Sequence, residues 1–152
     1  MGTTSEMKTI VVSFDENEPA ERALARAADL AEAFDATLVV AAVAEPPLPG
    51  SGIDAVLPGA PERLASEATE EFNLADQRLE RARRLLEGRT IRMEFVSDTG
   101  EPADRTLELA DQWTADLIVV GIEETGFLER LVERSTADDV AHRTRRDVLI
   151  VH

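Results

Sequence analysis

The chain is predicted to fold as an open α/β domain, a five-stranded parallel sheet in the order 3-2-1-4-5 with helices on both faces. Five short runs rich in Val, Ile and Leu are separated by segments whose apolar residues recur at offsets of three and four. The runs lack the polar alternation of a half-solvated sheet, so their strands are expected to be covered on both faces. Strict alternation of strand and helix, joined by right-handed crossovers, then gives a doubly wound sheet with ligands expected above the carboxyl ends of the strands, where the strand order reverses.

The first strand is read from Thr9 to Phe14. Asn17 is placed to cap the helix that follows, Pro19 suits its first turn, and Leu24, Ala27, Ala28, Ala31 and Phe34 make its apolar stripe. The second strand spans Thr37 to Val43. A Pro- and Gly-rich stretch, residues 45–61, separates it from its helix and is longer than a bare connection needs, so it is read as a mobile flap or partner-binding loop. Leu64, Ala68, Phe72, Ala75, Leu79, Ala82 and Leu86 mark a long second helix, with Arg81, Arg83 and Arg84 among Glu80 and Glu87 on a solvated face. Ile91 to Val96 is the third strand; Ala103, Leu107, Ala110 and Trp113 mark the third helix, with Trp113 read as a packing residue. Leu117 to Val120 is the fourth strand, turning at Gly121. Ala137, Val140, Ala141 and Thr144 mark the last helix and Val148 to Val151 the last strand. The reversal in strand order falls between the first and fourth strands, whose loops start at Asp15 and Gly121.

At 152 residues and 43% hydrophobic content, residues 1–152 are one domain's worth of chain. No apolar run approaches the roughly 20 residues that a spanning helix needs, and the N-terminus leads into a strand rather than a signal-peptide core, so a cytoplasmic location without membrane association is expected. With no cysteine and only His142 and His152, thiolate chemistry, disulfides and zinc sites drop out. Thirty-one acidic residues against 16 basic ones give a net charge of −15, and Lys8 is the single lysine. That balance resembles the acidic proteins of salt-in halophiles, where molar salt shrinks the Debye length to about 3 Å and screens self-repulsion. An acidic protein from an arginine-using, high-GC genome is the alternative. Either way nucleic-acid binding is disfavoured, because it needs clustered cations.

Residues 115–137 read ADLIVVGIEETGFLERLVERSTA: a buried strand, then Gly121, then a helix restart at Ser135 and Thr136. This order resembles the universal stress protein family, whose nucleotide-binding members carry Gly, two residues, Gly, nine residues, then Gly and Ser or Thr. On this chain those places are Gly121, Glu124, Arg134 and Ser135, so two motif glycines are replaced by charged residues, and Gly126 lies nearby at a different spacing. The likeness extends through TIVVSFDENEPAERALARAADLA, VVAAVAEPP, GEPADRTLELADQWTADLIVVG and RSTADDVAHRTRRDVLIVH, nearly the whole chain, and is that of a haloarchaeal-type acidic member.

The resemblance implies a nucleotide site in which Asp15 and Val43 meet adenine and ribose, while Gly121, Ser135 and Thr136 meet phosphate, with Gly126 and Arg134 beside them. ATP with Mg2+ is the cofactor it admits, and none is required. Glu123 and Glu124 would repel the triphosphate unless magnesium or potassium bridged them or Arg130 or Arg134 supplied positive charge. Ser135 with Asp138 also reads as a capping box, and Asp15 as a turn carboxylate. The last strand, Val148, Leu149, Ile150 and Val151, lies at the sheet edge, where an uncovered strand tends to pair with another chain. The resemblance implies a homodimer joined through that strand, with further regulatory protein partners.

The leading function is a stress-response binding module with weak or lost ATP binding and no enzymatic activity. No Cys nucleophile, Ser-His-Asp arrangement or Gly-rich Lys-Ser/Thr loop is available. The alternative is an ATP-binding switch with slow hydrolysis, in which Asp15 or Glu124 orients a metal or water. A phospho-acceptor receiver domain would use Asp15, Glu16 and Asp98 but lacks its lysine after the fifth strand. A flavin carrier would need a Ser/Thr-rich loop where FDENEPAE stands.

Overall fold

The computed structural model describes residues 6–46, 56–122 and 136–152. Along them run β1 (Thr9–Ser13), α1 (Glu18–Phe34), β2 (Thr37–Ala44), α2 (Ala60–Leu85), β3 (Arg92–Thr99), α3 (Pro102–Gln112), β4 (Leu117–Gly121), α4 (Thr136–Arg143) and β5 (Asp147–Val151). The strands form one sheet in the order β3-β2-β1-β4-β5, every pair parallel, which is the predicted architecture.

Successive side chains in a strand point to opposite faces, so each central strand feeds two cores. Ile10, Val12 and Phe14 of the first strand and its exit, with Leu38, Val40 and Ala42 of β2, pack with α1 and α2. Val11, Val39, Ile118 and Val120 pack instead with Ala103 and Ala110 of α3 and Ala137 and Val140 of α4. Because both faces are dry, the sequence shows continuous apolar runs rather than alternation. The edges are wetter than expected. β3 is exposed or half-buried throughout and β5 has no fully buried residue, because an edge strand has one neighbour. The pairing of β3 nonetheless continues to Thr99, past the expected end at Val96.

α1 starts as its sequence directs: the Asn17 side-chain oxygen accepts from the Ala20 amide at 2.8 Å, and Pro19 occupies the first turn. The helix stops at Asp35 in a left-handed conformation, φ 53°. Phe34, expected in the apolar stripe, is 53% exposed, because this last helical residue lies beyond the sheet-facing turns that Ala27, Ala28 and Ala31 occupy. The long stripe of α2 is likewise buried only in its second half, at Ala75, Leu79 and Ala82 and on to Leu86. Phe72 is 46% exposed, and Leu64 and Ala68 are half-buried. α2 also begins at Ala60, so it absorbs the end of the expected 45–61 loop, of which residues 47–55 lie outside the described residues. Trp113, at the end of α3, is 36% exposed and so packs less than expected.

Gly121 does not turn the chain. It is the last residue of β4 without a positive φ, and Ile122 prolongs the pairing by donating to the Val151 carbonyl at 2.9 Å. What the position requires is the absence of a side chain. A Cβ there would lie 2.6 Å from both the carbonyl carbon and oxygen of Pro19 and 2.8 Å from the Ala20 nitrogen, so the first turn of α1 sits directly on the strand end. Those neighbours are backbone and cannot swing aside. Gly121→Ala is therefore expected to destabilise the protein by about 1–3 kcal/mol, read as a lower urea midpoint; an unchanged midpoint would show that the helix is free to shift.

Candidate functional site

The reversal of strand order lies between β1 and β4, and the chain leaving β1 holds the site's first residue. Phe14 is buried and still pairs with β2, its amide donating to the Ala41 carbonyl at 2.8 Å. Asp15 follows, then Glu16 in a left-handed conformation, φ 54°, then the capping Asn17. A glutamate in that region of backbone space is uncommon and gives the loop a sharp bend between strand and helix.

Two arginines of α2 reach this loop. Arg78 and Arg81 stand three residues apart and share one helix face. Arg81 pairs with Glu21 of α1 and lies 3.9 Å from Glu16, so it is not part of the purely solvated face its sequence neighbours suggest. Arg83 does lie outward: it pairs with Glu80 and stands 4.6 Å over the ring of Phe95 on β3. Arg78 goes inward. Its Nη2 is 3.6 Å from Asp15 Oδ1, its Nη1 donates to the Val43 carbonyl at 3.4 Å, and its side chain is only 19% exposed. The structure thus brings together Asp15 and Val43, the expected adenine and ribose positions, and adds an arginine between them.

Carboxylates surround this junction. Glu45 is held above the ordinary carboxylate range, first because the protein partly shields it from water and then because Asp15, Glu71 and Glu101 repel its charge, with Arg78 opposing them. Among the described residues, buried polar atoms without a partner include Arg78 Nε, Thr99 Oγ1 at the end of β3 and Arg105 Nε, whose side chain lies against Gly100, with Thr106 Oγ1 further into α3. Such orphaned groups mark a polar setting in which water or a ligand finds donors ready. Among the described residues, no group of three or more His, Asp and Glu is set to hold a metal ion.

The expected phosphate positions divide. Gly121 ends β4 at the switch, and Thr136 opens α4, whose next residue, Ala137, is buried against the sheet. Gly126, Arg134 and Ser135 lie outside the described residues, as do Glu123, Glu124 and Arg130. Sequence reasoning missed Arg78. The available signal was its spacing, three residues after Ala75 and four before Ala82, which puts it at the margin of the buried stripe of α2.

An open parallel sheet in this strand order, with helices on both faces, defines the doubly wound α/β class. Its family follows from comparison with known proteins. The model of the universal stress protein family matches residues 6–152, and the chain belongs to that family. It is similar to the universal stress protein Rv1636 of Mycobacterium tuberculosis, 32% identical and covering 97% of this chain and 98% of that one. Among solved structures it resembles a universal stress protein in complex with cAMP, 31% identical with a TM-score of 0.63, covering 97% of this chain and 98% of that one. It also resembles the universal stress protein of Archaeoglobus fulgidus in complex with dAMP, 25% identical with a TM-score of 0.58, covering 97% and 99%.

The raised Glu45 yields a pH test. A carboxyl group with a folded pKa above its unfolded one favours the folded state at low pH, and that contribution disappears as pH rises through the folded pKa. Glu45→Gln is expected to match the parent protein in urea stability below the usual glutamate pKa and to exceed it at pH 7. A difference that stayed constant across this range would contradict the electrostatic assignment.

Proposed function

We propose that this universal stress protein is a non-catalytic, cytoplasmic stress-response module that works as a homodimer and weakly binds an adenine nucleotide at the carboxyl ends of β1 and β2. The observation that carries the reading is the convergence of Asp15 and the Val43 carbonyl beside the strand-order reversal, joined by Arg78. A carbonyl and a carboxylate suit the amino group of a base and the hydroxyls of a ribose as acceptors. The likeness to proteins solved with cAMP and dAMP supports an adenine mononucleotide as the ligand.

In this reading Ser135 and Thr136 receive the phosphate at the start of α4, where free amides favour an anion, with Arg134, Gly121 and Gly126 alongside. Glu123 and Glu124 follow β4 in the sequence and weigh against a long polyphosphate chain. The ligand's binding energy then biases protein association rather than a reaction, and regulatory proteins are the partners. The excess of carboxylates suits a salt-rich cytoplasm in which their repulsion is screened.

Dimerisation is assigned to β5. Its residues Val148 to Val151 are half-buried at one end of the sheet, an edge that no other described strand pairs with and that suits a second copy of the strand across a twofold axis.

Calorimetric titration in molar KCl tests the ligand: AMP or cAMP should bind saturably and more tightly than ATP with magnesium, whereas absence of heat with all three would overturn the nucleotide reading. Light scattering in the same buffer should give twice the 16.6 kDa chain mass, and a mass of one chain would overturn the dimer.

A further inference from the structure

We propose that Arg78 is an internal occupant of the base end of the site, so that a nucleotide binds only after this side chain has let go of the Val43 carbonyl and Asp15. The inference rests on the adenine-nucleotide reading above and adds the residue that sets its affinity. The two groups offered to base and ribose already face one guanidinium, at 3.4 Å from Nη1 and 3.6 Å from Nη2. A ligand cannot use the carbonyl's direction towards Arg78 while Arg78 fills it.

The contacts suit a group that leaves. Both are longer than a well-formed charged hydrogen bond, which runs about 2.7–2.9 Å. Arg78 Nε is buried without a partner among the described residues, so these residues do not satisfy its full donor set. Its attachment to α2 is firm, because Ala75, Leu79 and Ala82 fix that helix turn in the core, while the long arginine stem can swing without moving the backbone. Asp15 is 68% exposed at its side chain, which provides a path by which the guanidinium can follow the carboxylate outward.

The exchange also explains why the module would bind nucleotide weakly. A protein whose binding-competent arrangement is only part of its population shows an affinity reduced by that fraction. With Arg78 drawn aside, Asp15 and Glu45 lie less opposed, so a nucleotide's negative charge meets a site that has lost a cation. Neutral adenosine avoids that second penalty and isolates the first.

The test is calorimetric titration of adenosine and of AMP into the full chain and its Arg78→Met and Arg78→Gln variants in molar KCl, with circular dichroism melts to confirm that each variant is folded. Methionine keeps the apolar stem and glutamine a shorter polar one, so at least one variant should preserve the helix packing. Adenosine is expected to bind a folded variant about five- to tenfold more tightly than the parent, the range that release of one partly exposed ion pair and hydrogen bond allows. Equal or weaker binding by folded variants, with the parent still binding, would overturn the occupant role and leave the nucleotide reading standing. No binding of either compound by parent or variants would overturn both.

Discussion

The first turn of α1 rests against the end of β4, and much of the candidate site depends on that contact. Pro19 and Ala20 approach Gly121 so closely that no side chain fits between them. This fixes where α1 begins, and Asn17 caps it at that point. The three residues between Ser13 and Asn17 must therefore complete the bend, with Glu16 in a left-handed conformation and Asp15 carried above the strand ends. Small residues complete the arrangement. Ala20, Ala23, Ala27, Ala28 and Ala31 line the buried face of α1, which lets the helix lie close to the sheet along its length.

Arginine carries much of the cross-linking between elements in a chain with a net charge of −15. Arg81 joins α2 to α1 through Glu21, Arg143 joins α4 to α3 through Asp104, and Arg146 joins the start of β5 to Asp111 and the Ala115 carbonyl. Guanidinium groups suit this use because a planar fork of donors can serve two acceptors at once. Exposed pairs of this kind contribute little individually. Arg78 differs in position, since it reaches the strand ends instead of the surface and engages a backbone carbonyl there.

The architecture was legible because its signals are local and repeated. Buried runs at β1, β2 and β4 and the cap at Asn17 read directly from residue type, and right-handed crossovers leave few ways to order the strands. Features that depend on neighbours distant in sequence were not. Gly121 reads as a turn residue, yet its role is set by Pro19, about a hundred positions away. Phe34 and Phe72 continue an apolar period beyond the part of each helix that meets the sheet. β3 and β5 were placed at the edges by the predicted strand order, yet their apolar runs gave no sign of how exposed those edges are. Arg78 is one arginine among several along α2, and only the placement of Asp15 and Val43 distinguishes it. Glu124 and Arg134, which stand at two of the family's glycine positions, lie outside the described residues, as does Ser135.

The proposed nucleotide site is the junction of Asp15, Val43 and Arg78. Its most direct test is an NMR titration of isotope-labelled protein with AMP, following backbone amides and the arginine Nε–H groups together. Binding at this junction requires that the largest saturable shifts fall at Asp15, Val43, Ala44 and the Arg78 side chain. It is contradicted if AMP shifts no resonance, or if the shifts gather in the separate surface groove between α1 and α2 that Arg22, Leu85 and Arg89 help to line.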